Sequence, residues 1–302
     1  MTRYLKTLNI GEWTFEGYSR GGDKTGIVLL GKGLKIHLDA GFATKYEPDC
    51  ILITHGHLDH IQELNNLLVG NNDKMIDGEE VANKVKVITM PDLIPLLQDL
   101  LSSQMRVNAG QKKCSSYMKS KGHPMTWWRW NPLAILKDSM RIVFNKQIIN
   151  ITPYNMDHSV DTLGFGISEI RKKRKIEYES MDQSECNKTM MMYKNTKDEK
   201  YNITEEKEYP IVLFCGDTGP SILPTLPFGK YPIVFIEASF LDPEHKTNKK
   251  HLHINDLVPY FTHYDTTTFV LIHFSRDRYT DEEIKVFQLS YEEKYKNVKF
   301  FI

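Results

Sequence analysis

Between Leu52 and Ile61 the chain reads LITHGHLDHI, three histidines and an aspartate within six residues, directly behind an apolar run. Such side chains destabilise a fold when buried without partners, and these four have no structural need of one another. Two readings compete, a polar turn rich in histidine or a metal site. The residues in front, CILIT, read as a buried strand, and Ile61, Leu64, Leu67 and Leu68 then recur at helical spacing. A strand that empties into polar donors and continues as a helix points to an α/β fold with its chemistry at the sheet edge.

The rest of the chain keeps that pattern. TGIVLLG and LKIHLDAG are short apolar strands punctuated by Gly, and VKVITM is another. Pro91 opens a helix with Leu93, Ile94, Leu97, Leu100 and Leu101 on one face. MRIVFN, IINITPYNMDH and TLGFGISEI read as strands, and so do YPIVLFCGDT, YPIVFIEASF and TTTFVLIHFS further on. INDLVPYFTHYD and TDEEIKVFQLSYEEKY read as helices, and VKFFI closes the chain. Residues 1–302 are expected to form one domain, with a charged insertion or flexible arm at about 171–209, where RKKRKIEYESMDQSEC and its continuation lack an apolar period.

Polar residues stand at the end of nearly every buried strand: His55, His57, Asp59 and His60 after CILIT, then His158, Asp217, Glu237 and His273. Strand ends converge on one edge, and imidazole with carboxylate suits a borderline cation such as Zn²⁺. Two ions a few ångströms apart need about seven protein ligands, one of them a bridging carboxylate. A tight turn at Gly56 lets His55 and His57 face one ion, with Asp59 and His60 turned toward a second. Each residue also has an ordinary reading. A lone buried His is more often a hydrogen-bonded core residue, Asp217 can be a turn residue before Gly219 and Pro220, and Glu237 can be a salt-bridge partner.

THGHLDH resembles the HxHxDH signature of the metallo-β-lactamase superfamily, and further motifs narrow the resemblance to the short form of tRNase Z, the endonuclease that trims precursor-tRNA 3′ ends. FEGYSRGGDKTGIVL is similar to that family's opening strand pair, DHSVDTLGFGI to its third motif, FCGDT to its GDT motif and FIEASFLD to its EATF or ESTFLD motif. HLHINDL and LIHFSRDRY resemble its terminal pair of His motifs. The resemblance implies a four-layer αββα sandwich, two Zn²⁺ per subunit, precursor tRNA as substrate and a homodimer. It implies one zinc on His55, His57 and His158, the other on Asp59, His60 and His273, and Asp217 between them. A hydroxide shared by the ions would attack the phosphodiester, with Asp59 as proton acceptor. Glu237 would orient His251, which protonates the leaving oxygen. His251 is preferred to His253 on family spacing; the alternative is that both line the substrate groove. Four departures stand out. HFSRDRY is one residue longer than HFSxRY, which shifts Arg278; Ala238 replaces a hydroxyl residue; and Lys250 stands where Gly usually precedes the dyad His. Above all, the sequence shows no Gly/Pro-rich arm of the kind that grips tRNA in bacterial members, the charged segment beginning RKKRK lying in its general place.

Surface charge gives a second set of candidates. With 39 basic and 39 acidic residues the formal charge is zero, so attraction to RNA has to come from local patches. Arg171, Lys172, Lys173 and Arg174, with Lys175, either bind tRNA phosphates or form a solvated charge run. His253 and Arg278 are further candidates for contact with substrate. The stretch KKCSSYMKSKGHPMTWWRW joins positive charge to aromatic rings, suited either to stacking on unpaired bases or to packing. Four scattered cysteines without a CxxC pair fit a reducing compartment, and the chain has no secretory h-region and no 18-residue apolar run. The expectation is a cytoplasmic protein with no membrane contact, nuclear or organellar import being the other possibility. A cyclic-nucleotide phosphodiesterase and a non-catalytic RNA-binding member of the superfamily are the competing functions.

Overall fold

The computed structural model describes residues 5–69, 85–109, 130–144, 146–242 and 250–302. Within these, two sheets pack face to face. The first runs β1(Lys6–Ile10), β2(Trp13–Gly21), β3(Lys24–Gly31), β4(Leu34–Leu38), β5(Cys50–Leu52), β6(Val85–Thr89) and β7(Trp130–Ala134) in chain order. Its first four strands are antiparallel, and β4 to β7 are parallel. The second sheet is built from β8(Met140–Phe144), β9(Gln147–Asn155), β10(Leu163–Arg174), β11(Thr204–Phe214), β12(Ile233–Glu237), β13(Thr268–Ile272) and β15(Val298–Phe300). It too begins antiparallel and turns parallel, from β11 through β12 and β13 to β15. A two-residue strand, β14(Phe274–Ser275), leaves the second sheet and pairs with β2 of the first.

The core lies between the sheets. Phe15, Ile27 and Ile36 of the first meet Ile151, Phe165, Phe214 and Phe235 of the second, all with no exposed surface. Phe15 and Phe235 set their ring centres 4.6 Å apart. β12 and β13 carry apolar side chains on both faces, as parallel strands covered on both sides do. On the outside of the first sheet lie α1(Leu58–Ile61), α2(Leu64–Val69) and α3(Leu93–Ala109), which bury Leu64, Leu68, Leu97 and Leu101. A further helix, α4(Gln183–Thr196), belongs to the charged stretch. α5(Ile254–His263) and α6(Asp281–Lys294) cover the second sheet through Leu257, Phe261 and Ile284. The result is the four-layer αββα sandwich. Among the described residues no helix is long and apolar enough to cross a membrane.

The charged stretch at 171–209 has a definite build. β10 and β11 run on past the sheet as an antiparallel pair, Arg171 opposite Lys207 and Arg174 opposite Thr204, and α4 lies between them. Its helix is invisible to periodicity because it buries only Cys186. It is set instead by its ends: the Asp182 carboxylate caps the Ser184 and Glu185 amides, and Lys197 ends the helix in the left-handed region at φ 57°. Of the basic, Trp-rich stretch at 111–130 only Trp130 is described, buried at the start of β7; the remainder lies outside the described residues.

Candidate metal centre

Seven of the predicted donors come together at the strand ends. His55, His57, His158 and Asp217 form one group, Asp59, His60 and His273 a second, with donor atoms inside each group within 4.8 Å of one another. Asp217 stands between the groups. One of its oxygens is 3.5 Å from His60 Nε2, and the other lies 3.3 Å from His273 Nε2 and 3.9 Å from His158 Nε2. The local backbone is built for this convergence. Gly216 takes φ +63° just before Asp217, a conformation open to glycine, and His273 itself sits at φ +61° between β13 and β14.

Hydrogen bonds behind the cluster decide which ring nitrogens face it. The Thr54 hydroxyl gives its one proton to Asp39 at 3.0 Å, so at 2.9 Å it accepts from His55 Nδ1. His60 Nδ1 donates to Asp39 Oδ2 at 2.7 Å, and His158 Nδ1 donates to the Lys250 carbonyl at 3.0 Å. The Ser239 hydroxyl donates to Glu237 at 2.5 Å and accepts from His273 Nδ1 at 3.2 Å. In a neutral ring each of these contacts takes the Nδ1 proton and leaves Nε2 as the free donor, the form a metal ligand requires. Asp59 is held from outside the sheet by the Gly22 amide, 3.0 Å from Oδ2.

The donor set fits a metal ion. His55 Nε2 and Asp217 Oδ1 are buried with no hydrogen-bond partner, against the rule that buried polar atoms are satisfied. Ring nitrogens also approach each other, His60 Nε2 to His273 Nε2 and His158 Nε2 to His57 Nδ1, both at 3.3 Å. A cation between such atoms satisfies them together. Electrostatics agree: burial and the neighbouring His60 push the His55 imidazole down to about 2. Burial also disfavours a charged His60, but Asp217 and Asp39 outweigh it and raise its pKa well above the ordinary value. Asp217 is held well below the carboxylate range, because His273 and His60 overcome the cost of its burial.

Beside the cluster Glu237 is fully buried and accepts from the Thr218 amide at 2.6 Å, the Leu252 amide at 3.3 Å and His251 Nδ1 at 3.1 Å. Burial lowers the His251 pKa and Glu237 raises it more, to about 9. His251 and His253 differ in placement: His253 accepts from the Asn255 amide at 3.0 Å and donates to the Asp242 carbonyl at 2.7 Å, capping α5. Both ring nitrogens of His253 are thus committed within the protein, and only 3% of its surface is exposed.

The other candidates lie at greater remove. Arg278 is exposed, its guanidinium 5.2 Å above the Phe240 ring, whose centre is 6.4 Å from that of His251. The extra length of HFSRDRY is absorbed in the turn before Tyr279, whose buried hydroxyl accepts from the Leu241 and Asp242 amides at 2.9 and 3.1 Å. Within the basic run Arg171 reaches Glu169 at 2.5 Å. Lys172 stands opposite Glu206 and Lys173 opposite Glu205 in the strand register, while Glu206 pairs with Arg141 at 2.6 Å and the Lys173 ammonium lies 5.4 Å from the Tyr209 ring centre. Arg174 donates to the carbonyls of Tyr178, Glu179 and Met181 and so ties down the turn that follows β10. Sequence reasoning passed over Asp39, Thr54 and Ser239. Asp39 carried a signal, since it ends the strand LKIHL as the other site residues end theirs.

No protein-family model matches the chain. It is 26% identical to tRNase Z TRZ1 of Arabidopsis thaliana over 290 residues, covering 93% of this chain and 91% of that protein. It is 24% identical to the chloroplastic tRNase Z TRZ2 of Arabidopsis thaliana, covering 93% of this chain and 72% of that protein. Among solved structures it resembles the metallo-beta-lactamase fold protein YhfI from Bacillus subtilis, with a TM-score of 0.56 at 12% identity over 93% of this chain and 92% of that one. A diphosphatase of the PhnP family aligns with a TM-score of 0.51 at 11% identity, over 92% of this chain and 80% of that one. The chain therefore has the metallo-β-lactamase fold and is similar over most of its length to proteins named tRNase Z.

Proposed function

We propose that the chain is a metal-dependent endoribonuclease that binds two Zn²⁺ ions and removes the 3′ trailer from precursor tRNA. The observation that carries this reading is the Glu237–His251 pair, set beside the seven clustered donors. A nuclease needs a proton donor for a poor alkoxide leaving group as well as an activated nucleophile. His55, His57 and His158 would hold one ion, Asp59, His60 and His273 the other, with Asp217 between them. Zinc bound there supplies Lewis-acid stabilisation of the phosphoryl oxygens and makes water acidic enough to attack near neutral pH.

The protein groups complete the step. Asp59, held by the Gly22 amide, accepts the proton of the attacking water. His251 gives its Nδ1 proton to the hydrogen bond with Glu237, which leaves Nε2 to protonate the departing oxygen. A homodimer is part of the proposal and is checked by sedimentation. Purified protein with zinc is expected to cut a precursor tRNA just after the discriminator base; an intact precursor alongside rapid hydrolysis of a cyclic nucleotide overturns the reading.

One observation favours the second reading, a phosphodiesterase for small cyclic substrates. The acids Glu205 and Glu206 stand opposite Lys173 and Lys172 in the strand register, which lowers the net positive charge of the hairpin face proposed to meet RNA. A Lys172→Ala, Lys173→Ala double variant separates the two, and it spares Arg174, which holds the turn. If those lysines meet RNA, the slope of log affinity against log salt falls by about 1 for each phosphate left without its lysine. Hydrolysis of a small diester stays unchanged. An unaltered slope assigns the run to solvent; equal loss on both substrates makes the hairpin structural.

A further inference from the structure

Lys250 interrupts the resemblance to tRNase Z, and the structure gives its side chain a fixed partner. Its ammonium lies 2.5 Å from Asp157 Oδ1. Asp157 is itself immobilised. Its other carboxylate oxygen accepts from the Ser221 hydroxyl, its carbonyl accepts from the Gly219 amide at 2.6 Å, and its amide donates to the Thr218 hydroxyl at 3.1 Å. Lys250 is therefore tied to the segment that follows Asp217.

The same residue touches the centre through its backbone. The Lys250 carbonyl accepts from His158 Nδ1 at 3.0 Å, the contact that leaves His158 Nε2 facing the cluster. The next residue is His251, whose ring stands edge-on to that of His158 with centres 4.9 Å apart. Leu252 then donates its amide to Glu237 at 3.3 Å. Three consecutive residues thus orient a donor of the cluster and seat the proton donor of the flanking pair. The Lys250–Asp157 pair, with side chains 45% and 26% exposed, contributes little to global stability. Its effect is on the placement of a short backbone segment.

We infer that Lys250 is a positioning residue: its ammonium on Asp157 seats residues 250–252 so that one carbonyl orients His158 and the adjoining imidazole meets Glu237. A glycine at this position has no side chain with which to make that tie. The inference rests on the proposed metal-hydrolase reading, and it carries a readout that needs no substrate.

The test compares wild type with Lys250→Met, Asp157→Asn, the double variant and Lys250→Arg, each checked for an unchanged melting temperature. Zinc affinity is measured by competition with a chromophoric chelator, and kcat and KM on precursor RNA. Lys250→Met is expected to weaken zinc binding about tenfold, the lower end of the range for groups behind a metal ligand, because the carbonyl itself remains. It also lowers kcat at unchanged KM. Lys250→Arg restores both, and the single and double variants show non-additive losses. Unchanged zinc affinity and kcat, or additive losses, overturn the inference. A rise in KM alone overturns it too, since the amine then contacts substrate. If wild type fails to cut RNA, the zinc measurements still decide the role of Lys250.

Discussion

Replacing Asp217 with asparagine is expected to cost about 10³-fold or more in RNA cleavage, more than the loss of a single oxyanion donor elsewhere. No other side chain of the cluster lies within 4 Å of His60, His158 and His273 together by an ion-pairing oxygen. Asparagine keeps the shape and loses the charge that offsets the clustered imidazoles. Zinc is expected to bind more weakly and in lower amount. The thermal shift on adding zinc shrinks with it, a shift that in wild type reflects about 2.7 kcal/mol when free zinc is 100 times its Kd. A variant that cleaves RNA within tenfold of wild type and retains its full complement of zinc refutes the shared role of Asp217. Asp59→Ala provides a second test at a partly exposed position, where loss of cleavage with retained fold is expected.

The second large effect concerns leaving-group chemistry. His251→Ala removes the group that the buried Glu237 carboxylate orients. Cleavage of RNA, which expels a ribose alkoxide, is expected to fall about 10²–10⁴-fold, the usual contribution of a general acid. Hydrolysis of bis(p-nitrophenyl) phosphate is expected to fall far less, because nitrophenolate departs without a proton. Equal losses on both substrates assign His251 to holding the centre together instead. His253→Ala serves as contrast: its ring caps α5, so it costs about 1 kcal/mol of stability, with little change in kcat for the folded enzyme.

Much of the site was legible because donors at the ends of apolar strands are visible one strand at a time. CILIT running into HGHLDH, IVLFCG into Asp217 and FVLI into His273 each announce a polar residue at a sheet edge. Less legible were the groups that aim those donors. Thr54 and Ser239 are ordinary hydroxyl residues in sequence, and only proximity to Asp39, Glu237 and two imidazoles gives them a purpose. The surroundings of the basic run were hidden for a related reason. Its charge is plain in the sequence, whereas its placement opposite Glu205 and Glu206 depends on the register of two strands joined through α4. Charge counted along a chain carries no information about which acid lies across the ladder.

Side-chain periodicity and polarity are local properties, so the alternation of strands and helices, the donor types at the strand ends and the chemistry they suit are readable one segment at a time. Long-range packing is what turns particular nitrogens toward the cluster, pairs His251 and not His253 with Glu237, and brings Lys250 to Asp157. In HLH the two histidines are chemically identical, two residues apart on one extended segment. They part company because the start of α5 needs a cap for its unpaired amides at His253, while the buried Glu237 carboxylate lies within reach of His251 and needs a donor.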